Sequence, residues 1–157
     1  MKDSRNKGFV WPIVAFMLFF LGGCEKELTV EAAKVKPPVR TYVVTARADK
    51  KGTNSNSEGT AVLKGLYDEE TKQLSYTVEY TKIIPQLMTI RSGPKGSAGT
   101  FIREIYSTED GKPAIIKGSF LLTPLQERNM LKGLWFITVS TTAMSPEISG
   151  VFTLKQQ

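Results

Sequence analysis

The sequence predicts an all-β fold, an antiparallel β-sandwich or barrel with one short helix near residues 123–132. Three observations predict it. Segments rich in β-branched and aromatic residues recur at short spacing, and the clearest alternate apolar and polar with period two. Polar connections carrying Gly, Pro, Asn or Asp separate them. No helices alternate with the strands, which argues against a parallel sheet.

The first 23 residues stand apart from that pattern. Lys2, Arg5 and Lys7 form a charged start, and Phe9 to Leu21 run apolar. About 13 apolar residues suit an export signal and are short for a membrane span. Leu21-Gly22-Gly23-Cys24 follows at once, with small residues that let a peptidase approach the backbone. Residues 24–40 read as a tether, stiffened by Pro37-Pro38. The domain itself is expected over residues 41–157.

Thr41 to Ala46 reads as the first strand, and Lys50 to Gly59 as a polar loop. A hairpin follows. Ala61, Leu63 and Tyr67 line one face of its first strand. Leu74, Tyr76, Val78 and Tyr80 line one face of its second, with Ser75, Thr77 and Glu79 outward. Asp68 to Lys72 is the solvated connection, because its acids lack the alternating spacing of a calcium loop. Leu87 to Arg91 and Thr100 to Tyr106 are strands around a glycine-rich loop, Ser92 to Gly99. A strand rather than a helix after that loop argues against phosphate binding. Ile115 to Leu122 is a further strand. Thr123-Pro124-Leu125-Gln126 opens the helix with an N-cap, a proline at the first position and a capping box. Leu125, Met130 and Leu131 are its expected apolar face, and Gly133 stops it. Leu134 to Thr141 and Glu147 to Leu154 are two closing strands. The total is about seven to nine strands, which suits an immunoglobulin-like or superoxide-dismutase-like arrangement.

Composition narrows function mainly by exclusion. The 157 residues suit one domain, and 41% hydrophobic with 23% charged residues excludes a wholly disordered chain. The net charge of +6 falls to +4 without Lys2, Asp3, Arg5 and Lys7, and the basic residues are scattered. A nucleic-acid partner would need them clustered, so none is expected. Cys24 is the single cysteine, so no disulfide forms within the chain. There is no histidine, which removes the commonest metal ligand and general base. No catalytic residue, cofactor or metal is expected. Ser92 with Lys95, Ser140 with Lys117 or Glu147, and the carboxylates Glu79, Glu104 and Glu147 show no linking spacing. Trp135 and Phe136 must point to opposite faces of their strand. Packing is the simpler reading for both, and a partly exposed Trp135 would mark a binding patch. Arg91, Lys95 and Arg103, near the glycine loop, form with Trp135 a candidate binding rim.

Two resemblances extend this reading. Leu21-Gly22-Gly23-Cys24 resembles the bacterial lipobox. That resemblance implies cleavage before Cys24, acylation of its thiol, and anchoring in a lipid bilayer of the cell envelope: the outer membrane in a Gram-negative cell, with the domain facing the periplasm or the surface. Two or more acyl chains hold stably, whereas one binds marginally. Glu25-Lys26-Glu27 resembles surface-export signals of some Gram-negative groups and equally suits a solvated tether. Gly59 to Leu63, Leu74 to Tyr80, Leu122 to Gln126, Leu131 to Ile137 and Pro146 to Gly150, in that order, resemble the chordin-type or CHRD domain across roughly residues 41–154. Family members commonly carry His-Ile-His where this chain has Thr89-Ile90-Arg91, a third histidine where it has Ser140, and an arginine where it has Ser149. The resemblance implies that any site built on those histidines is lost here. It also implies binding rather than catalysis, since in animals the domain occurs in an extracellular growth-factor antagonist. The expected function is a membrane-anchored binding or structural module, with an envelope protein, peptidoglycan or an extracellular glycan as partner. The alternatives are a small envelope enzyme or metal/redox protein with a non-histidine site, and an accessory subunit that works only in a complex.

Overall fold

The computed structural model describes residues 38–157 except Lys95 and Lys112. The signal, the lipobox residues Leu21, Gly22, Gly23 and Cys24, and the tether as far as residue 37 lie outside the described residues. Among the described residues nine strands form two antiparallel sheets. They are β1 (Thr41–Ala48), β2 (Thr60–Asp68), β3 (Gln73–Thr81), β4 (Leu87–Ser92), β5 (Thr100–Ser107), β6 (Ile115–Leu121), β7 (Trp135–Ser140), β8 (Ile148–Val151) and β9 (Thr153–Gln156). One sheet has five strands in the order β6-β3-β2-β1-β9, and the other has four in the order β5-β4-β7-β8. The fold is therefore the all-β sandwich expected from the sequence.

The period-two pattern decides what lies between the sheets. Leu63 and Tyr67 of β2 stand opposite Val78 and Leu74 of β3, Ala61 opposite Tyr80 and Gly65 opposite Tyr76, and Ala61, Leu63, Tyr67, Leu74, Tyr76 and Val78 are buried. From the other sheet Met88, Ile90, Ile137, Val139 and Ile148 complete the core. Each such aliphatic side chain, fully buried, contributes about 1.5–3 kcal/mol.

The single α-helix among the described residues, α1 (Pro124–Leu131), starts where its signals place it. Thr123 caps the Gln126 amide, and the Gln126 side chain accepts from the Thr123 N–H. Gly133, at φ +71°, ends it. The Gly133 N–H donates to the Met130 carbonyl and the Leu134 N–H to that of Asn129, a Schellman motif. The expected apolar face of this helix needs correcting. Met130 is fully buried, but Leu125 is 66% and Leu131 39% exposed. Eight residues make barely two turns, so the contact with the sandwich is narrow. A polar clasp supplements it: Glu127 accepts from the Tyr67 hydroxyl at 2.5 Å and from Lys72 Nζ at 2.8 Å.

The expected strand from Glu147 to Leu154 is two strands in different sheets. β8 pairs with β7, and β9 pairs with β1. The break is at Phe152, whose N–H donates to the Trp135 carbonyl and whose ring packs edge-on against Trp135. The sandwich is laced at this side, because Asp49, just beyond β1, bridges to Ser149 of β8. At the opposite side β5 faces β6, and the Arg103 guanidinium covers the Phe120 ring at 5.2 Å.

Candidate ligand-binding cleft

The outer face of the four-stranded sheet is a cleft of about 1020 Å3. Its floor follows from strand parity. Met88 and Ile90 of β4 point into the core, so Leu87, Thr89 and Arg91 point out. Trp135, Ile137 and Val139 of β7 point in, so Phe136, Thr138 and Ser140 point out. Register then sets rows across the sheet. Phe101, Arg91, Phe136 and Val151 form one row, Glu104, Thr89, Thr138 and Ser149 the next, and Leu87 with Ser140 a third.

Short hydroxyl residues keep the middle of this floor low, and loops raise its edges. One wall is the glycine loop, with Gly93, Gly96, Ser97 and Ala98 lining the cleft. The Gly93 N–H is tied to the Leu134 carbonyl, and Ser97 donates to the Pro94 carbonyl through both its N–H and its hydroxyl. Gly99, at φ +60°, lies so close to the Phe136 ring that a Cβ there would stand 2.7 Å from it. The opposite wall is the 3-10 turn Lys50–Gly52 with its neighbours Arg47, Asp49, Thr53 and Asn54. Gly52 packs against Ser149 without room for a side chain. Ser145 and Pro146 close a third edge.

These walls explain why outward-facing residues are shielded. Thr89, Thr138 and Phe136 all fall below 10% exposure. Thr89 and Thr138 hydroxyls bond each other at 2.8 Å, and Ser140 bonds Ser145 at 3.0 Å. Glu147 braces the third edge from behind. Its carboxylate accepts from the Ser57 and Thr141 hydroxyls, and its backbone carbonyl accepts from Thr53 at 2.7 Å. The hydrogen bond from Ser57, then that from Thr141, holds the carboxyl below its usual range despite some burial.

The described residues expected at a binding rim, Arg91, Arg103 and Trp135, do not share one surface. Arg91 lies on the cleft floor, where its Nε donates to the Ala98 carbonyl at 2.6 Å and its Nη2 to that of Gly99 at 3.1 Å. Arg103 pairs with Ile90, so it belongs to the inner face and covers the open side of the sandwich. Trp135 is fully buried between Phe120 and Phe152, and the partly exposed indole is corrected accordingly. Parity alone would place only one residue of the Trp135-Phe136 pair in the core. The second is covered by the glycine loop. Lys95 lies outside the described residues.

The weak enzymatic pairings also come apart. Ser140 and Lys117 lie on the outer faces of opposite sheets. Ser92 is buried on the inner side of β4. Glu79 and Glu104 face outward from different sheets, and the Glu147 carboxylate is held by Ser57 and Thr141. Among the described residues no three of His, Cys, Asp or Glu cluster.

The structure does unite Thr89, Arg91, Ser140 and Ser149 on the cleft floor. These are the positions where the resemblance sets three histidines and an arginine. They do not fit a divalent cation here. The two threonine hydroxyls are neutral and bonded to each other, and Arg91 places a cation beside them. Thr138, the direct partner of Thr89, was not singled out from the sequence. The outward set Phe136, Thr138, Ser140 was the available signal.

A two-sheet antiparallel sandwich with a loop-walled cleft on one outer face defines an all-β sandwich domain. The CHRD domain family matches over residues 41–151, and the chain belongs to it. That family is not known for enzymes. No curated protein and no solved structure matches.

Proposed function

We propose that this chain is a lipid-anchored protein of the cell envelope whose CHRD domain is a non-catalytic binding module. The cleft on the outer face of the four-stranded sheet is its ligand surface. One observation carries the reading: this outer face is walled and concave, and even its outward residues are shielded from solvent. Clefts of this size that combine an apolar floor element with a few convergent polar groups are where ligands ordinarily bind. The anchor rests on the lipobox reading, with Cys24 as the acylated residue and Leu21, Gly22 and Gly23 as the cleavage context. The tether then carries the domain away from the bilayer toward an envelope protein or glycan.

Two measurements on cells producing the full chain test this. Intact mass of the mature protein is expected to show loss of residues 1–23 and addition of acyl chains, both abolished by Cys24→Ser. A mature chain without lipid would overturn the anchor. A photo-crosslinking amino acid at Ser140, in the cleft, is expected to give an envelope adduct. The same group at Thr77, on the outer face of the five-stranded sheet, is expected to give none. Equal labelling from both positions, or none from Ser140, would overturn the cleft as the binding surface.

A further inference from the structure

We infer that the cleft takes a carboxylated oligosaccharide. The inference rests on the binding-module reading above and adds the chemical class of the ligand. Charge is the first argument. The described charged residues that line the cleft are Arg47, Lys51, Arg91 and Asp49. Asp49 is already engaged on both oxygens: Oδ1 accepts from the Lys51 N–H at 2.9 Å, and Oδ2 lies 3.7 Å from Arg47 Nε. Asp49 therefore faces its own wall, and Glu104, opposite Thr89 on the same sheet face, stands outside the cleft lining, so the exposed Lys51 and the floor residue Arg91 leave the cleft cationic. An anion is favoured over a neutral molecule or a cation.

The floor supplies the second argument. The backbones of β4 and β7 are engaged in the sheet on both sides, so the floor offers no free strand edge to a peptide. Its available polar groups are side-chain hydroxyls. Two hydroxyls that bond each other keep one hydrogen to donate and lone pairs to accept. The Thr89–Thr138 and Ser140–Ser145 pairs thus each present both functions, as a polyol requires. Val151, 43% exposed in the row beside them, gives an apolar contact for the C–H side of a sugar ring. The volume lies at the upper end of small-molecule sites, about 300–1,000 Å3, and suits several rings rather than one.

The test uses the full chain in detergent and calorimetric titration with tri-galacturonate. The neutral comparison is the fully methyl-esterified trimer. Binding of the acid is expected, with affinity at least about tenfold weaker for the ester and for Lys51→Glu, and falling as salt is raised. Lys117→Glu, on the outer face of the other sheet, is expected to leave affinity unchanged. Equal affinity for acid and ester, or equal weakening by the two charge reversals, would overturn the inference. No binding of either trimer would do so too. In that case a retained Ser140 adduct means that the cleft binds a different class, and a lost adduct means that the binding-module reading fails with it.

Discussion

The two sheets share one core yet present opposite kinds of outer surface. On the five-stranded sheet the outward residues include Lys64, Ser75, Glu79 and Lys117, all exposed. On the four-stranded sheet Thr89, Thr138 and Phe136 are shielded although they point away from the core. Alternation within the strands is the same in both sheets. The difference lies in the loops. The five-stranded sheet is joined through the tight turn at Asp68 to Lys72, which stays at its end, whereas the glycine loop and the 3-10 turn fold over the other sheet. Short floor residues and flanking loops, rather than any special strand, make this surface walled and concave.

The largest expected effect comes from disturbing the seam between cleft wall and sandwich. A Cβ at Gly150 would stand 2.1 Å from the Arg47 carbonyl oxygen, and backbone cannot yield as a flexible side chain can. Gly150→Val is expected to cost about 3 kcal/mol or more, or to prevent folding. Gly96→Ala, in the glycine loop at φ +81° with open space around it, is expected to cost only about 1–2 kcal/mol. Urea unfolding of both variants checks the contrast. Comparable losses would mean that the seam is no more rigid than the loop.

Next in size is the clasp between helix and sheet. Tyr67→Phe removes a hydrogen bond to a carboxylate and is expected to cost about 1.5–3 kcal/mol. The clasp also predicts a pH dependence. Burial pushes the Glu127 carboxyl up, but hydrogen bonds from Lys72 and Tyr67 outweigh it and hold the group below its ordinary value. A carboxyl depressed in the folded state stabilises at pH above its unfolded value and loses that contribution as pH falls through the folded one. Burial, then the bond to Glu127, pushes the Tyr67 hydroxyl far up, so the folded state keeps it neutral. The stability gained is present below the ordinary tyrosine value and declines as pH rises above it. Melting temperature against pH is therefore expected to fall at both ends, and Tyr67→Phe is expected to flatten the alkaline limb. An unchanged alkaline limb would remove the clasp from the account.

How far the sequence disclosed this arrangement depends on the range of the interactions involved. The hairpin of β2 and β3 and the caps of α1 were legible, because their signals are local: alternation in one, Thr123, Pro124, Gln126 and Gly133 in the other. The switch from β8 to β9 was not. Ile148, Phe152 and Leu154 all lie toward the core, so the alternation runs through the break undisturbed. What divides the strand is the change of partner from β7 to β1, both distant in sequence. The cleft was hidden for the same reason. Thr138 became notable only once register set it against Thr89, and Phe136 was covered only when the glycine loop folded over it. The positions compared with family histidines did point to this face, though without showing that it is hollow.

Thr138→Val sharpens the comparison of the two faces directly. It leaves the Thr89 hydroxyl shielded without its partner, an expected cost of about 1–3 kcal/mol. Adding Thr89→Val removes the unpaired group and is expected to recover most of the loss. Thr77→Ala, on the outer face of the other sheet, is expected to stay within about 0.5 kcal/mol of the parent. A double-mutant cycle in urea measures the coupling. Additive losses would mean that the two hydroxyls do not depend on each other, and that this floor is as open as the opposite face.

The smallest effect is expected in the core beneath the cleft, at Trp135. Its indole Nε1 is buried without a hydrogen-bond partner, although its ring is stacked on Phe120 and edge-on to Phe152. A buried unpaired donor costs about 1–3 kcal/mol relative to its hydrated state. Trp135→Phe removes that penalty and keeps one ring between its two aromatic neighbours. It also leaves a void where the second ring stood, which costs a similar amount. The two nearly cancel, so stability is expected to change by about 1 kcal/mol or less. A loss well beyond about 3 kcal/mol would show that the indole N–H has a partner, such as a buried water, and that the sandwich is wetter under the cleft than its apolar lining suggests.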